Sequence, residues 1–396
     1  MNKLWGDLNS DKEIEQFCIG SDLEIDSKLL ESDIKATLAH VQMLTNIGVL
    51  SNSELTDIEF GLNKLTKKVN KNGFKIPSKY EDGHSFIEFE LQKLCGNPAK
   101  KIHFLRSRND QSLTMIRLYM LQKIDEITAK TASLTGTLAN QADKHKTQKM
   151  PGYTHMQKAM PSTVGMWLGS YLDAVIDAAK LLNATKQILD QNPLGSGAGY
   201  GFAGQKLKPD KEFTAKKLNF SKIQKNPMYT GSSRGYFDMV LLQNMEPLVL
   251  LAGNFASDLL LYTTSEYDYF SLPKTFTTGS SIMPQKHNYD VLEIMRGKES
   301  IYWGYIEQIH GIISKKTSGY QRDLQLAKKP LIEALQLVEE NLSLWEKIVK
   351  NLQLNKVALD NAMTPELYAT EKVNNLVAAG GLFRDEYKKV KKEYLK

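Results

Sequence analysis

The feature that most limits what this chain can fold into is the helical spacing of its apolar residues over unusually long segments. From Gln111 to His145, Leu113, Ile116, Met120, Ile124, Ile127, Leu134 and Leu138 recur on a three-and-four spacing. From Pro161 to Asp190, Val164, Leu168, Tyr171, Val175, Ala178, Leu182 and Leu189 do the same. From Lys329 to Leu352, so do Leu331, Leu335, Val338, Leu342, Trp345 and Leu352. Such seams bury one stripe of each helix against neighbours. Two more long helices are expected, from Arg234 to about Thr263, with Pro247 expected to kink it, and from about Asp290 to Lys315. Rods of about 25–35 residues are roughly 40–50 Å long, well beyond the usual globular helix. A bundle supplies part of the partner surface they need, and an oligomer the rest. No alternating β pattern of any length and no internal repeat is visible, so the expected class is all-α.

Three parts follow from where the periodicity is strong: an N-terminal helical domain, 1–103; a central long-helix bundle, 104–353; and a short C-terminal helical domain, 354–396. Shorter helices and loops are expected before Lys101, with turn signals at Ser51-Asn52-Ser53-Glu54 and Lys71-Asn72-Gly73. The 396 residues are 41% hydrophobic and 24% charged, enough for a large core. A net charge of +6 from 51 basic and 45 acidic residues, with no dense basic tract, gives no reason to expect nucleic acid. A mildly basic surface suits a polyanionic small substrate. The start, Met1 to Asp7, has no apolar run behind it, so no signal peptide is visible. Met239 to Tyr262 is the most apolar stretch, but Gln243, Asn244, Glu246, Asn254 and Asp258 interrupt it. That favours a buried bundle helix over a membrane span. Cys18 and Cys95 make neither a disulfide framework nor a metal site and are expected as free thiols in a cytoplasmic protein.

Chemistry is expected where loops join the rods: Glu81 to His84, His103 to Gln111, Pro151 to Pro161, and Thr277 to Asn288. The last, Thr277-Thr278-Gly279-Ser280-Ser281-Ile282-Met283-Pro284-Gln285-Lys286-His287-Asn288, is a Gly/Ser/Thr-rich loop entering a helix. Its amides are suited to surrounding an anion, with Lys286 and Asn288 beside them. The run Gly195-Ser196-Gly197-Ala198-Gly199-Tyr200-Gly201 is not a dinucleotide loop, because it lacks Gly-x-Gly-x-x-Gly and follows a helix rather than a strand. His40, His84, His103, His145, His287 and His310 show no zinc spacing and are expected to be structural or surface residues; no metal and no cofactor is expected.

The 277–288 run fits Gly-Ser-x-x-Met-x-x-Lys-x-Asn, a signature of the fumarase/aspartase superfamily, at every fixed position. Arg106-Ser107-Arg108-Asn109-Asp110-Gln111, Pro151-Gly152-Tyr153-Thr154-His155-Met156-Gln157, Asn192 to Gly199 and Ser318-Gly319-Tyr320-Gln321-Arg322-Asp323-Leu324-Gln325 resemble segments of the argininosuccinate lyase family, in the expected order. The resemblance runs from Leu4-Trp5-Gly6 to Phe383-Arg384-Asp385. It implies a fumarase/aspartase-like fold whose five long helices are pooled into a 20-helix core in a homotetramer. It also implies reversible β-elimination of argininosuccinate to arginine and fumarate.

In that scheme Ser280 is the catalytic base and Lys286 the cation beside it. His155 is the general acid for the leaving nitrogen, and Glu293 is its charge partner. Lys286 and Asn288 serve the dianionic intermediate, Arg108 and Asn109 grip carboxylates, and Thr154 helps bind the succinyl part. Ser21, Asp82, Tyr320, Gln325 and Lys328 match positions that hold the arginine-like part. The loops of Arg108, His155 and Ser280 at one site would come from three chains. Simpler roles stay open from the residues alone: Asp82 as a helix N-cap, Tyr320 as a buried aromatic, Lys328 as a solvated lysine.

The sequence departs from the family at three places. His103-Phe104-Leu105 replaces a run ending in glycine, which is expected to put two bulky groups near the substrate and to deny the chain glycine's backbone angles. Tyr289 replaces a proline, and the chain stops soon after Tyr387. Two other readings remain: adenylosuccinate lyase or another fumarate-releasing lyase of the superfamily, and a non-enzymatic structural protein like the δ-crystallins.

Overall fold

All five rods are present. The computed structural model describes residues 11–71, 73–202 and 205–394; Leu4-Trp5-Gly6 and Asn72 lie outside them. In chain order the helices are α1 (Lys12–Ile19), α2 (Asp22–Asn46), α3 (Asn52–Val69), α4 (Gly83–Cys95), α5 (Arg108–Lys144), α6 (Val164–Leu189), α7 (Lys211–Lys217), α8 (Pro227–Ser232), α9 (Tyr236–Tyr262), α10 (Asp290–Ile313), α11 (Lys328–Lys350), α12 (Lys356–Asn361), α13 (Ala369–Ala378) and α14 (Phe383–Tyr394). The five expected rods are α5, α6, α9, α10 and α11, and α9 continues through Pro247. By length and composition α9 also passes as a membrane span, yet half of its most apolar window is buried inside the chain.

Two expectations need correction. The N-terminal part is not confined to shorter helices: α2 is 25 residues long. Its buried face carries Asp26, Ser32, Asp33, Thr37 and His40 among the apolar residues, which masks its periodicity. The stretch 151–161 is not a loop but most of an antiparallel hairpin, β1 (Lys149–Thr154) and β2 (Gln157–Thr163). Pro151 and Pro161 face each other across it, and the register shifts between Gly152 and Tyr153. Prolines and a β2 without a buried residue leave no alternation to read. The other strands are two-residue pairs. β3 (Gln191–Asn192) runs parallel to β4 (Lys222–Ile223), β5 (Phe270–Ser271) pairs with β8 (Gln353–Leu354), and β6 (Thr278–Gly279) with β7 (His287–Asn288).

Contacts divide the chain into two units. The first holds residues up to Ile127, Leu181–Met245 and Tyr302–Gln336; the second holds Thr128–Lys180, Glu246–Ile301 and everything from Leu337 on. In the first, α2, α3 and α4 close a core of Leu30, Ile34, Val41, Leu44, Ile58, Leu62, Tyr80, Phe86 and Leu91. Each such side chain contributes about 1.5–3 kcal/mol when fully buried. The Ser51 turn signal proves to be the capping box of α3, with Ser51 and Glu54 each accepting the other's amide N–H.

The second unit has an aromatic core of Trp167, Tyr171, Phe255, Phe270 and Trp345 in stacked and edge contacts. Trp167 Nε1 and Tyr171 Oη both donate to Asp258, at 2.9 and 2.7 Å. Where α6 begins, a Cβ on Gly165 would lie 2.5 Å from the Ala142 carbonyl oxygen and 2.6 Å from the Lys146 Cα. Only glycine permits that approach.

Candidate active site

The first unit builds a pocket from carboxylates and cations in equal number. Asp22 and Asp26, one turn apart on α2, both ion-pair with Lys328 at the start of α11, at 3.0 and 2.7 Å. Lys328 is only 5% exposed, which removes the solvated-lysine alternative. Burial alone would lower its pKa, but the two carboxylates outweigh it and hold the ammonium above its usual value. Asp26 also accepts the Gly83 N–H at 3.0 Å.

Asp82 is the N-cap of α4, accepting the Ser85 N–H at 2.7 Å, and its other oxygen faces Arg108 at 3.4 Å. A cap and a place in the pocket are therefore compatible. Glu81 pairs with the same guanidinium at 3.0 Å. Tyr320 lies with its ring 5.2 Å from the Arg234 guanidinium, and Gln325 donates to the Cys18 carbonyl at 2.8 Å. Asn109, Ser112, Arg234 and Arg322 add to the polar lining. Ser21 is exposed just before α2 and is not part of it.

His84, expected among the structural or surface histidines, is buried and faces the pocket. Its Nδ1 contacts Asp33 at 2.5 Å, and Asp33 also accepts from Gln111 at 3.0 Å. Burial works against the imidazolium, yet Asp33 outweighs it and raises the His84 pKa. Asp22, Asp26, Asp33 and Arg234 were not singled out from the sequence; Glu81 and His84 lie in a stretch expected to carry chemistry, but neither was given a role in it. One signal was there: Asp22, Asp26 and Asp33 follow the helical repeat of α2 where a core-facing stripe should be apolar.

Asp110 ties the start of α5 to the glycine run. It accepts N–H groups from Ser107 (2.8 Å), Gly195 (3.0 Å) and Gly197 (2.8 Å). Gly195 and Gly197 have φ of 89° and 63°, which aims successive amides inward. The amides that a nucleotide phosphate would need are thus taken by a protein carboxylate. The departure at Leu105 also resolves differently from expectation. Leu105 adopts φ 57°, glycine's region, and is only 4% exposed within the α2–α4 core. It fills the core rather than the pocket, and that packing offsets its backbone strain. Phe104 is partly exposed, and its carbonyl contacts His40 Nε2 at 2.8 Å.

The second unit carries the other candidate residues on or beside two turns and, for Glu293, in the first turn of α10. The pairing of Thr154 with Gln157 leaves His155 and Met156 as a two-residue turn, with φ of 53° and 61°. Both central residues are left-handed, as a type I′ turn requires, and neither is the usual glycine or asparagine. Strain of this kind at an exposed histidine fits a functional tip. The hairpin is anchored by Tyr153, whose hydroxyl meets that of Tyr269 at 2.6 Å, and by Lys158, which donates to the Ala362 carbonyl at 2.8 Å.

The β6–β7 pair pinches residues 280–286 into the second turn. There Ser280 Oγ accepts the amide N–H groups of Met283 (3.1 Å) and Ile282 (3.4 Å). Lys286 and Glu293 are exposed and Asn288 half-buried. Among the described residues, no hydrogen bond or ion pair joins Lys286 to Ser280 or Glu293 to His155 within the chain. Tyr289 has found its own use before α10: its hydroxyl accepts the Leu272 N–H at 3.2 Å. Among the described residues, no group of three metal-ligating side chains occurs, and both cysteines are free.

Residues 9–301 match a family described as Lyase. Argininosuccinate lyase of Thermotoga neapolitana is 38% identical over 393 residues, 99% of this chain and 98% of that protein. That of Sorangium cellulosum is 36% identical over 392 residues, covering 99% and 90%. Two solved structures share the fold. EDDS lyase in complex with formate gives a TM-score of 0.75 at 22% identity, covering 97% of this chain and 76% of that one. Class II fumarase from Schistosoma mansoni gives 0.77 at 16%, covering 91% and 86%. With a family match over most of its length and relatives above 30% identity from end to end, the chain belongs to the lyases of the fumarase/aspartase superfamily.

Proposed function

We propose that this lyase cleaves argininosuccinate reversibly to L-arginine and fumarate, working as a homotetramer. The observation that carries the reading is the charge balance of the first unit's pocket. Asp22, Asp26, Glu81 and Asp82 face Arg108, Arg234, Arg322 and Lys328. Equal numbers of carboxylates and cations suit a zwitterion bearing a guanidinium. A nucleotide substrate, as adenylosuccinate lyase takes, calls for an excess of cations around its phosphate. Relatives named argininosuccinate lyase, similar over the full chain, support the same choice.

The steps assign a task to each residue. Ser280 removes the proton from the carbon next to a carboxylate, and the electron pair spreads into that carboxylate. Lys286 and Asn288 serve the resulting charge. The carbon–nitrogen bond then breaks, the pair leaves with nitrogen, and His155 protonates it directly or through water. Two amide N–H groups already point at Ser280 Oγ. Bonds of that strength shift an ionisation by about one to two pK units each. That falls short of what an alcohol needs near neutral pH, so a cation is required, and Lys286 is on the same loop.

Purified protein offered argininosuccinate and adenylosuccinate separately, with fumarate release measured, tests the reading. Release from argininosuccinate alone is expected. Release from adenylosuccinate instead would transfer the assignment to that lyase, and turnover of neither would favour a structural protein.

A further inference from the structure

The hairpin tip that carries His155 is strained, and little of the β ladder holds it. His155 and Met156 are both left-handed, a conformation that residues other than glycine keep only where their surroundings fix it. On the tip side of the register shift the paired residues are Tyr153 with Lys158 and Thr154 with Gln157, because β2 passes over Ala159 before Met160 pairs with Gly152. Such a shift interrupts the ladder and separates the tip from the root of the hairpin. The tip is held instead by side chains from the directly opposed residues Tyr153 and Lys158. Lys158 donates to the Ala362 carbonyl at 2.8 Å and to Thr364 Oγ1 at 3.4 Å, but it is exposed and water competes for its bonds. Tyr153 is half-buried, and its hydroxyl meets that of Tyr269 at 2.6 Å. Tyr269 is a fixed point. It is buried, its N–H donates to the Tyr262 carbonyl at 3.0 Å, and its carbonyl accepts the Asn355 N–H at 2.9 Å. Burial raises the pKa of both phenols, so the pair keeps its protons at neutral pH.

We propose that Tyr153 and Tyr269 are positioning residues whose hydroxyl–hydroxyl bond aims the His155 imidazole for proton transfer to the leaving nitrogen. The inference rests on the reading of His155 as that acid. Tyr153 stands two residues before His155, so freedom at the anchor passes directly to the imidazole. A general acid works only within hydrogen-bond reach of the atom it protonates, and a misplacement of about 1 Å costs up to about a hundredfold in rate. The Tyr153 ring also meets Tyr267 edge-on at 5.7 Å. Losing the hydroxyl alone therefore frees the tip while the ring stays packed, and the loss falls on the chemical step rather than on substrate binding.

The test is a set of conservative variants of the full-length protein, assayed for fumarate release from argininosuccinate. Tyr153→Phe and Tyr269→Phe each remove one end of the same bond, and thermal melts establish that each variant is folded. Each is expected to lower kcat by about tenfold or more while KM stays within about twofold. The double variant should be no slower than either single one, since the bond can be lost only once. In a His155→Asn background, Tyr153→Phe should leave the residual rate as it is, because no imidazole remains to be aimed. Wild-type kcat in folded Tyr153→Phe and Tyr269→Phe overturns the inference. So does a further loss on top of His155→Asn, which places the effect of the pair elsewhere. Full turnover in His155→Asn by itself instead overturns the reading of His155 as the acid.

Discussion

Asp110 accepts the amide N–H of Gly197 at 2.8 Å, across 87 residues of sequence, and so fastens the first turn of α5 to the glycine run after α6. The same carboxylate takes the Ser107 N–H, next to Arg108 and Asn109. The placement of those two pocket residues therefore depends on a buried acid that does not itself line the pocket.

That acid should leave a mark on stability. Burial pushes the Asp110 pKa from an ordinary 3.8 up to about 6 despite three N–H donors. A carboxyl raised by folding stabilises the protein fully below its unfolded pKa and loses that contribution as pH rises through the folded one. Between pH 4 and pH 6.5, about 2 kcal/mol should disappear from this group. Asp110→Asn has no such titration but leaves one donor unmet. Denaturant unfolding of both proteins should show the wild-type advantage greatest near pH 4 and shrinking toward neutrality. Parallel pH profiles would refute the assignment. Asp238, also pushed up to about 6 by burial, adds the same trend to both proteins and cancels in the comparison.

Leu105→Gly sets two effects against each other. Glycine relieves the left-handed strain, about 1–2 kcal/mol. Losing a buried leucine side chain costs about 2–5 kcal/mol. The burial term wins, and a net loss of about 1–3 kcal/mol is expected in chemical denaturation. A variant as stable as wild type would mean the core around Leu105 collapses to fill the space.

Ser280→Ala should lower kcat by at least about a hundredfold, the low end for losing a general base, while arginine affinity stays within about twofold. The hydroxyl accepts only loop amides, and its loss disturbs no core packing. Near-normal turnover would move the base elsewhere, with Ser281 the next candidate.

The five rods were legible because their apolar seams repeat without polar interruption, as at Leu331, Leu335, Val338 and Leu342. The length of α2 was not, because it spends its buried face on Asp26, Asp33, Thr37 and His40. The same substitution of polar for apolar residues that hid the helix also marks the wall of the pocket. The hairpin was hidden by Pro151, Gly152 and Pro161, which erase β alternation while its two-residue turn supplies geometry that only coordinates reveal. Lys328 and Asp82 were found by motif, but their partners came from α2 and α5. Arg234 carries no motif at all.

The proposed tetramer makes the last prediction. His155 stands on an exposed hairpin tip and Ser280 on a separate protruding turn, and no hydrogen bond joins them within the chain among the described residues. If the catalytic groups of one site come from different chains, two inactive proteins can repair each other. His155→Asn and Ser280→Ala, prepared separately, are each expected to be nearly inactive. Unfolded together and refolded in equal amounts, they should form hybrids at random. A site needs its histidine from a chain carrying only the serine mutation and its serine from a chain carrying only the histidine mutation. Each condition is met half the time, so roughly a quarter of sites should be intact. Fumarate release should return to about that fraction of the wild-type rate. A site built within one chain always carries one of the two lesions and recovers nothing. Mass measurement must first establish that hybrids form. With hybrids present and activity still at the level of the separate mutants, the shared site is wrong whatever the number of chains in the assembly.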